Sequence, residues 1–117
     1  MTDRLTILRD LKGYLQNEFS VSVKDIILFG SQASGNANEN SDYDVLIVLN
    51  QTYNARDENK IYDLCYDIDL KYNIIIDAHL ISQQEVNTLR GKQPIFTNAI
   101  QNGLYAWPLK NLKGENW

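Results

Sequence analysis

The stretch Gly30-Ser31-Gln32-Ala33-Ser34-Gly35, followed by an Asn-rich link and by Ser41-Asp42-Tyr43-Asp44 running into Val45-Leu46-Ile47-Val48-Leu49, limits what this chain can become more than any other part of it. Tyr43 to Leu49 is apolar on both alternating sets and rich in β-branched residues, so it reads as a buried strand. On a strand, side chains at i and i+2 share a face. Asp42 and Asp44 can therefore point at one spot where the strand enters the sheet. Two carboxylates held that close repel each other unless a cation sits between them. With no cysteine or histidine nearby in sequence, hard oxygen ligands favour Mg²⁺ or Mn²⁺ over zinc.

The upstream half completes the pattern. Asp25 to Phe29 is an apolar strand that stops at Gly30, and the next residues can start a short helix with Ser31 near its cap. A glycine lets the backbone approach a ligand closely, and the free N–H groups of a helix start attract phosphate oxygens. Gly35 and the link from Asn36 to Asn40 then reverse the chain, laying the second strand beside the first. The order is strand, phosphate cradle, link, metal-binding strand.

The run GSQASGNANENSDYDVLIV resembles the signature of the DNA polymerase β-type nucleotidyltransferase superfamily in its minimal, prokaryotic form. The signature covers residues 28–49, and the family's general layout fits nearly the whole chain. The resemblance implies an α/β (α+β) fold, a small mixed β-sheet flanked by helices, like the palm of polymerase β. It also implies that Gly30, Ser31 and Ser41 hold the nucleotide triphosphate and that Asp42 and Asp44 bind Mg²⁺ or Mn²⁺. The implied reaction is transfer of NMP, AMP from ATP above all, to an acceptor hydroxyl with release of pyrophosphate. In similar members the acceptor is often a tyrosine on a helical HEPN-type RNase toxin, so that the enzyme acts as an antitoxin. The alternative is a catalytically weak binding module that keeps the nucleotide fold and neutralises its partner by complex formation.

The family also uses a third carboxylate on a neighbouring strand, as metal ligand and catalytic group beside Asp42 and Asp44. Asp77 is the candidate, within the apolar run Asn73 to Ser82, where burying a carboxylate without a counter-charge is expensive. The alternative is that it faces solvent with Asn73, Ile75 and His79. From Tyr66 to Leu80 every even position is apolar, which suggests one long strand, yet Ile61, Leu64, Cys65, Ile68 and Tyr72 fit a helical stripe. Strands of that length are rare, which favours a helix over about 55–70 and then a strand. On such a helix Asp67 and Asp69 diverge by about 200° and cannot share a metal. In the long-strand reading, Asp69 becomes the rival third acid.

The remaining segments read as support. Residues 3–19 carry Leu5, Leu8, Leu11 and Leu15 on one face of an amphipathic helix, residues 83–90 have helical propensity, and a last helix over about 95–103 groups Phe96, Ile100 and Leu104. Residues 1–109 form one domain closed by Trp107 and Pro108, with a loose tail over 110–117. A net charge of −4 disfavours broad nucleic-acid binding. No signal peptide or membrane span is evident, and the single Cys65 fits a reducing cytoplasm. His79, two residues beyond Asp77, reads as supporting rather than catalytic. Arg56, Lys60, Arg90 and Lys92 could neutralise phosphate, though exposed helix charge is the commoner role of such residues.

Overall fold

The computed structural model of the chain describes residues 3–18, 23–34, 42–88 and 90–106. The expectations for Ser41, for the link over 35–40, for Trp107 and Pro108 and for the tail fall outside those residues. The elements are α1 (Arg4–Glu18), β1 (Val23–Phe29), α2 (Ser31–Ser34), β2 (Tyr43–Leu49), α3 (Ala55–Tyr72), β3 (Ile76–Ser82), α4 (Pro94–Asn102) and β4 (Leu104–Tyr105), with a 3₁₀ turn at Gln83–Glu85. The strands form one mixed sheet in the order β3-β2-β1-β4. β1 pairs antiparallel with both β2 and β4, and β2 pairs parallel with β3.

The chain puts α3 between the two parallel strands for local reasons. Asn54 accepts the Asp57 N–H while the Asp57 carboxylate accepts the Asn54 N–H, a reciprocal cap that starts the helix. Asn73 ends it in the left-handed region, at φ 56°, a conformation that asparagine tolerates better than most residues. That turn settles the choice between helix and long strand. It also shortens β3 relative to the apolar run, because Asn73 cannot belong to a strand.

Alternation along the strands divides the sheet into two faces. Val45, Ile47 and Leu49 of β2 join Leu8, Leu11 and Leu15 of α1 and Ile61, Leu64, Cys65 and Ile68 of α3 in one core. Leu11, Leu15, Ile47 and Ile61 are fully enclosed there, each worth about 1.5–3 kcal/mol by removal from water. On the other face Ile27, Phe29, Leu46, Val48 and Ile81 pack against Phe96 and Ala99 of α4. α4 covers only part of this face, so the ends of β2 and β3 that carry Asp44 and Asp77 stay open to a ligand.

Two supporting expectations change. The segment after β3 is a 3₁₀ turn and not a helix, because the Glu85 carboxylate accepts both the N–H and the hydroxyl of Ser82 at 3.0 Å and winds the chain tightly. Leu104 does not join Phe96 and Ile100; it lies in β4 and packs toward the α1 side of the sheet. Among the described residues no helix is long and apolar enough to cross a membrane.

Candidate active site

Each acidic side chain of the site is placed by strand register. β2 and β3 run parallel with Asp44 directly beside Asp77 and Leu46 beside His79. Asp44, Leu46 and Val48 point to the α4 face, and so do Asp77, His79 and Ile81 on the next strand. One donor atom each from Asp44, Asp77 and His79 lies within 4.8 Å of the others. The Asp77 side chain is 54% exposed and its carboxylate stands 3.5 Å from His79 Nε2. The His79 ring rests against Phe29, with centroids 5.8 Å apart. Asp77 is thus both solvent-facing and adjacent to Asp44, so the two readings of this residue describe one position.

Asp42 sits just ahead of β2, exposed, and outside the set of three. Its charge still reaches the site. The Asp44 carboxyl is held above its ordinary range first by burial and then by the charges of Asp77 and Asp42, with His79 opposing. Three carboxylates gathered at one sheet edge carry an electrostatic cost that a divalent cation relieves. The Asp44 and Asp77 carboxylates are hard oxygen donors of the kind that Mg²⁺ or Mn²⁺ takes, and the His79 imidazole lies within reach of both. The parallel pairing of β2 and β3 also brings His79 to Asp44 from a distant part of the chain.

The cradle is built at the end of β1. Gly30 has φ +73°, and a β-carbon there would meet the Asp44 carboxylate oxygen at 2.4 Å. Only glycine permits both the left-handed turn and this close approach. The turn leads straight into α2, which begins at Ser31, and the Ala33 N–H returns to the Gly30 carbonyl at 3.2 Å. Backbone of the turn and carboxylates of the strands therefore meet at one point.

A cation that sequence reasoning passed over also reaches this turn. The Arg4 guanidinium donates to the Gln32 carbonyl in α2, bringing a positive charge from the first turn of α1 to the turn that the sequence reads as a phosphate cradle. No local pattern marks it, since a lone arginine at a helix start looks like ordinary surface charge. Arg90 is committed elsewhere: it donates to the Leu80 carbonyl at 3.0 Å, pairs with Glu85 at 3.4 Å and lies over the Phe96 ring. Arg56, Lys60 and Lys92 are exposed.

The rival acid Asp69 has a different task. From the last turns of α3 its carboxylate accepts the Ile76 N–H at 2.9 Å, tying the helix end to the first residue of β3. It lies outside the donor set of Asp44, Asp77 and His79. Asp67 is turned away to Tyr14, at 2.5 Å from its hydroxyl.

Comparison with known proteins supplies the family. The nucleotidyltransferase domain family matches residues 8–99. A Methanocaldococcus jannaschii protein named "Putative protein adenylyltransferase MJ0604" is 35% identical over 80 residues, covering 68% of this chain and 75% of the relative. A second from the same organism, "Putative protein adenylyltransferase MJ0141", is 32% identical over 84 residues, covering 72% of this chain and 84% of its own length. A crystal structure of the toxin-antitoxin MntA-HpeT, in a variant with two aspartates two positions apart changed to glutamate, superposes with a TM-score of 0.59 at 16% identity, covering 92% of this chain and 76% of that one. A toxin-antitoxin structure with AMP-PNP gives the same TM-score of 0.59 at 18% identity, with the same coverages of 92% and 76%. At such identities the likeness to the two structures is one of fold.

Proposed function

This chain belongs to the nucleotidyltransferase domain family, and we propose that it transfers AMP from ATP to a hydroxyl on a partner protein, releasing pyrophosphate. The observation that carries this reading is the shared rung of Asp44 and Asp77, with the Gly30 turn backed onto Asp44. A phosphate cradle and an acidic pair meet there as in-line phosphoryl chemistry requires.

Asp44 and Asp77, with Asp42 at the strand entrance, would hold Mg²⁺ or Mn²⁺. Such an ion, when bound, neutralises the charge that builds on the α-phosphate and on the departing pyrophosphate. The chain's own residues do the rest. The turn from Gly30 into Ser31 orients the triphosphate through backbone N–H groups and the Ser31 hydroxyl, with Ser41 proposed as a further contact. Arg4 beside Gln32 offsets phosphate charge at the cradle. Asp77, exposed toward solvent, takes the proton from the acceptor hydroxyl as its oxygen bonds to the α-phosphorus and the bond to the β-phosphate oxygen breaks. His79 steadies the Asp77 carboxylate.

A protein acceptor is supported by the names of the two archaeal relatives. We extend this to a tyrosine of a HEPN-type toxin in an antitoxin role, in the cytoplasm where ATP is available; the toxin-antitoxin origin of the two matching structures supports that setting. The discriminating experiment incubates the chain and a HEPN-type toxin, the proposed partner, with ATP labelled at either the α- or the γ-phosphate. Label from the α position alone on the partner supports the proposal. Label from the γ position, or from neither with a tight complex formed, overturns it, the latter in favour of a binding module.

A further inference from the structure

A recess of about 200 Å³ opens between α2 and α4, lined by Phe29, Gly30, Ala33, Asn98 and Asn102. It shares Gly30 with the acidic site, whose Asp44 carboxylate lies against the other side of that glycine. The volume falls below the roughly 300–1,000 Å³ of pockets that enclose a whole drug-sized ligand. It suits one ring system of a larger molecule anchored next door.

The two walls differ in chemistry. Phe29 and Ala33 supply an apolar surface for a flat ring. Opposite them, one helical turn apart on α4, Asn102 Nδ2 donates to Asn98 Oδ1 at 3.0 Å. Both side chains are exposed, and the bond fixes them as one unit. An amide nitrogen of Asn98 and the amide oxygen of Asn102 stay available to a ligand. If both amides are turned over, the residues exchange these roles and the same donor and acceptor remain.

We propose that this recess receives the base of the nucleotide and that the Asn98–Asn102 pair reads its edge, selecting adenine over guanine. The pair offers a donor on one asparagine and an acceptor on the other along the same wall. These complement the amino group and a ring nitrogen of adenine, whereas the matching edge of guanine offers two acceptors and calls for two donors. The inference rests on the transferase reading of the neighbouring site and assigns the part of the substrate that the cradle and the carboxylates do not touch.

Titration calorimetry in Mg²⁺ with ATP, GTP and inorganic tripolyphosphate tests it, on the parent and on a double Asn98→Ala, Asn102→Ala variant. The parent should bind ATP roughly tenfold more tightly than GTP. In the variant ATP affinity should fall by a similar factor and the preference vanish, with tripolyphosphate affinity unchanged. Circular dichroism of the variant should match the parent, since both side chains lie on an exposed helix face. Unchanged ATP affinity in the variant, or a parent that does not distinguish ATP from GTP, overturns the inference and leaves the transferase reading in place. A parent that binds neither ATP nor tripolyphosphate overturns both.

Discussion

Asp44 and Asp77 are neighbours on one rung of the parallel β2–β3 ladder, although thirty-three positions separate them in sequence. The rung is possible because α3 fills the crossover between the strands, its ends set by the Asn54–Asp57 cap and by the left-handed Asn73. A shift of one residue in register would send one carboxylate to the buried face that Val45 and Ala78 occupy. The site is thus a product of topology as much as of the Asp-x-Asp motif.

Gly30 should be the least replaceable residue of the cradle. In Gly30→Ala the new methyl group would collide with the Asp44 carboxylate at 2.4 Å in a turn with φ +73°, so metal affinity and ATP affinity should fall together. Ser31→Ala removes at most one hydrogen bond to phosphate and should weaken ATP by about 1 kcal/mol. Calorimetry on both variants checks this, and equal losses would place the phosphates elsewhere.

Asp69 holds the start of β3 and stands apart from Asp77, the proposed catalytic acid. Asp69→Ala leaves the Ile76 N–H without its 2.9 Å acceptor and should cost about 1–3 kcal/mol in chemical denaturation. Asp69→Asn keeps an oxygen in place and should recover most of that stability. Transfer activity of the folded Asn variant should stay near the parent's, and a collapse of activity there would revive Asp69 as the third acid.

A salt link between the two helices on the far face of the sheet gives a pH-dependent stability. Asp10 on α1 accepts from Lys71 at 2.7 Å and from Tyr72 at 2.5 Å on α3, and these bonds hold its carboxyl below its ordinary 3.8. A depressed carboxylate stabilises the fold above its unfolded value and loses that effect as pH falls through the folded one. Lys71, raised above 10.5 by the same contact, keeps its contribution below that value and loses it at higher pH. Asp10→Asn should therefore lower the melting temperature across the neutral range, and the gap from the parent should close below about pH 4. A gap that persists at pH 2 would assign the effect to packing.

The sequence made much of this legible, for identifiable reasons. Tyr43–Leu49 has the bounds that its apolar run predicts, and the short helix after Gly30 begins where Ser31 suggests. Such signals are local. β4 leaves no local signal, because two residues, Leu104 and Tyr105, acquire strand character only by pairing with Leu28 and Ile27. His79 reads as supporting from the sequence alone, since its nearness to Asp44 exists only once β3 lies parallel to β2. Arg4 carries no local signal for a similar reason: the fold brings it to Gln32, a partner 28 positions away.

In the proposed function the Asp44–Asp77 pair forms a metal-dependent transfer centre in which Asp77 acts on the acceptor hydroxyl. The most direct measurement sets ATP affinity in Mg²⁺ beside the rate of α-label transfer to the partner, for the parent and Asp77→Asn. ATP affinity should stay within a few-fold of the parent's, and transfer should slow by about a hundredfold or more, the range of a lost general base. An Asp77→Asn variant that transfers label at the parent's rate would contradict it.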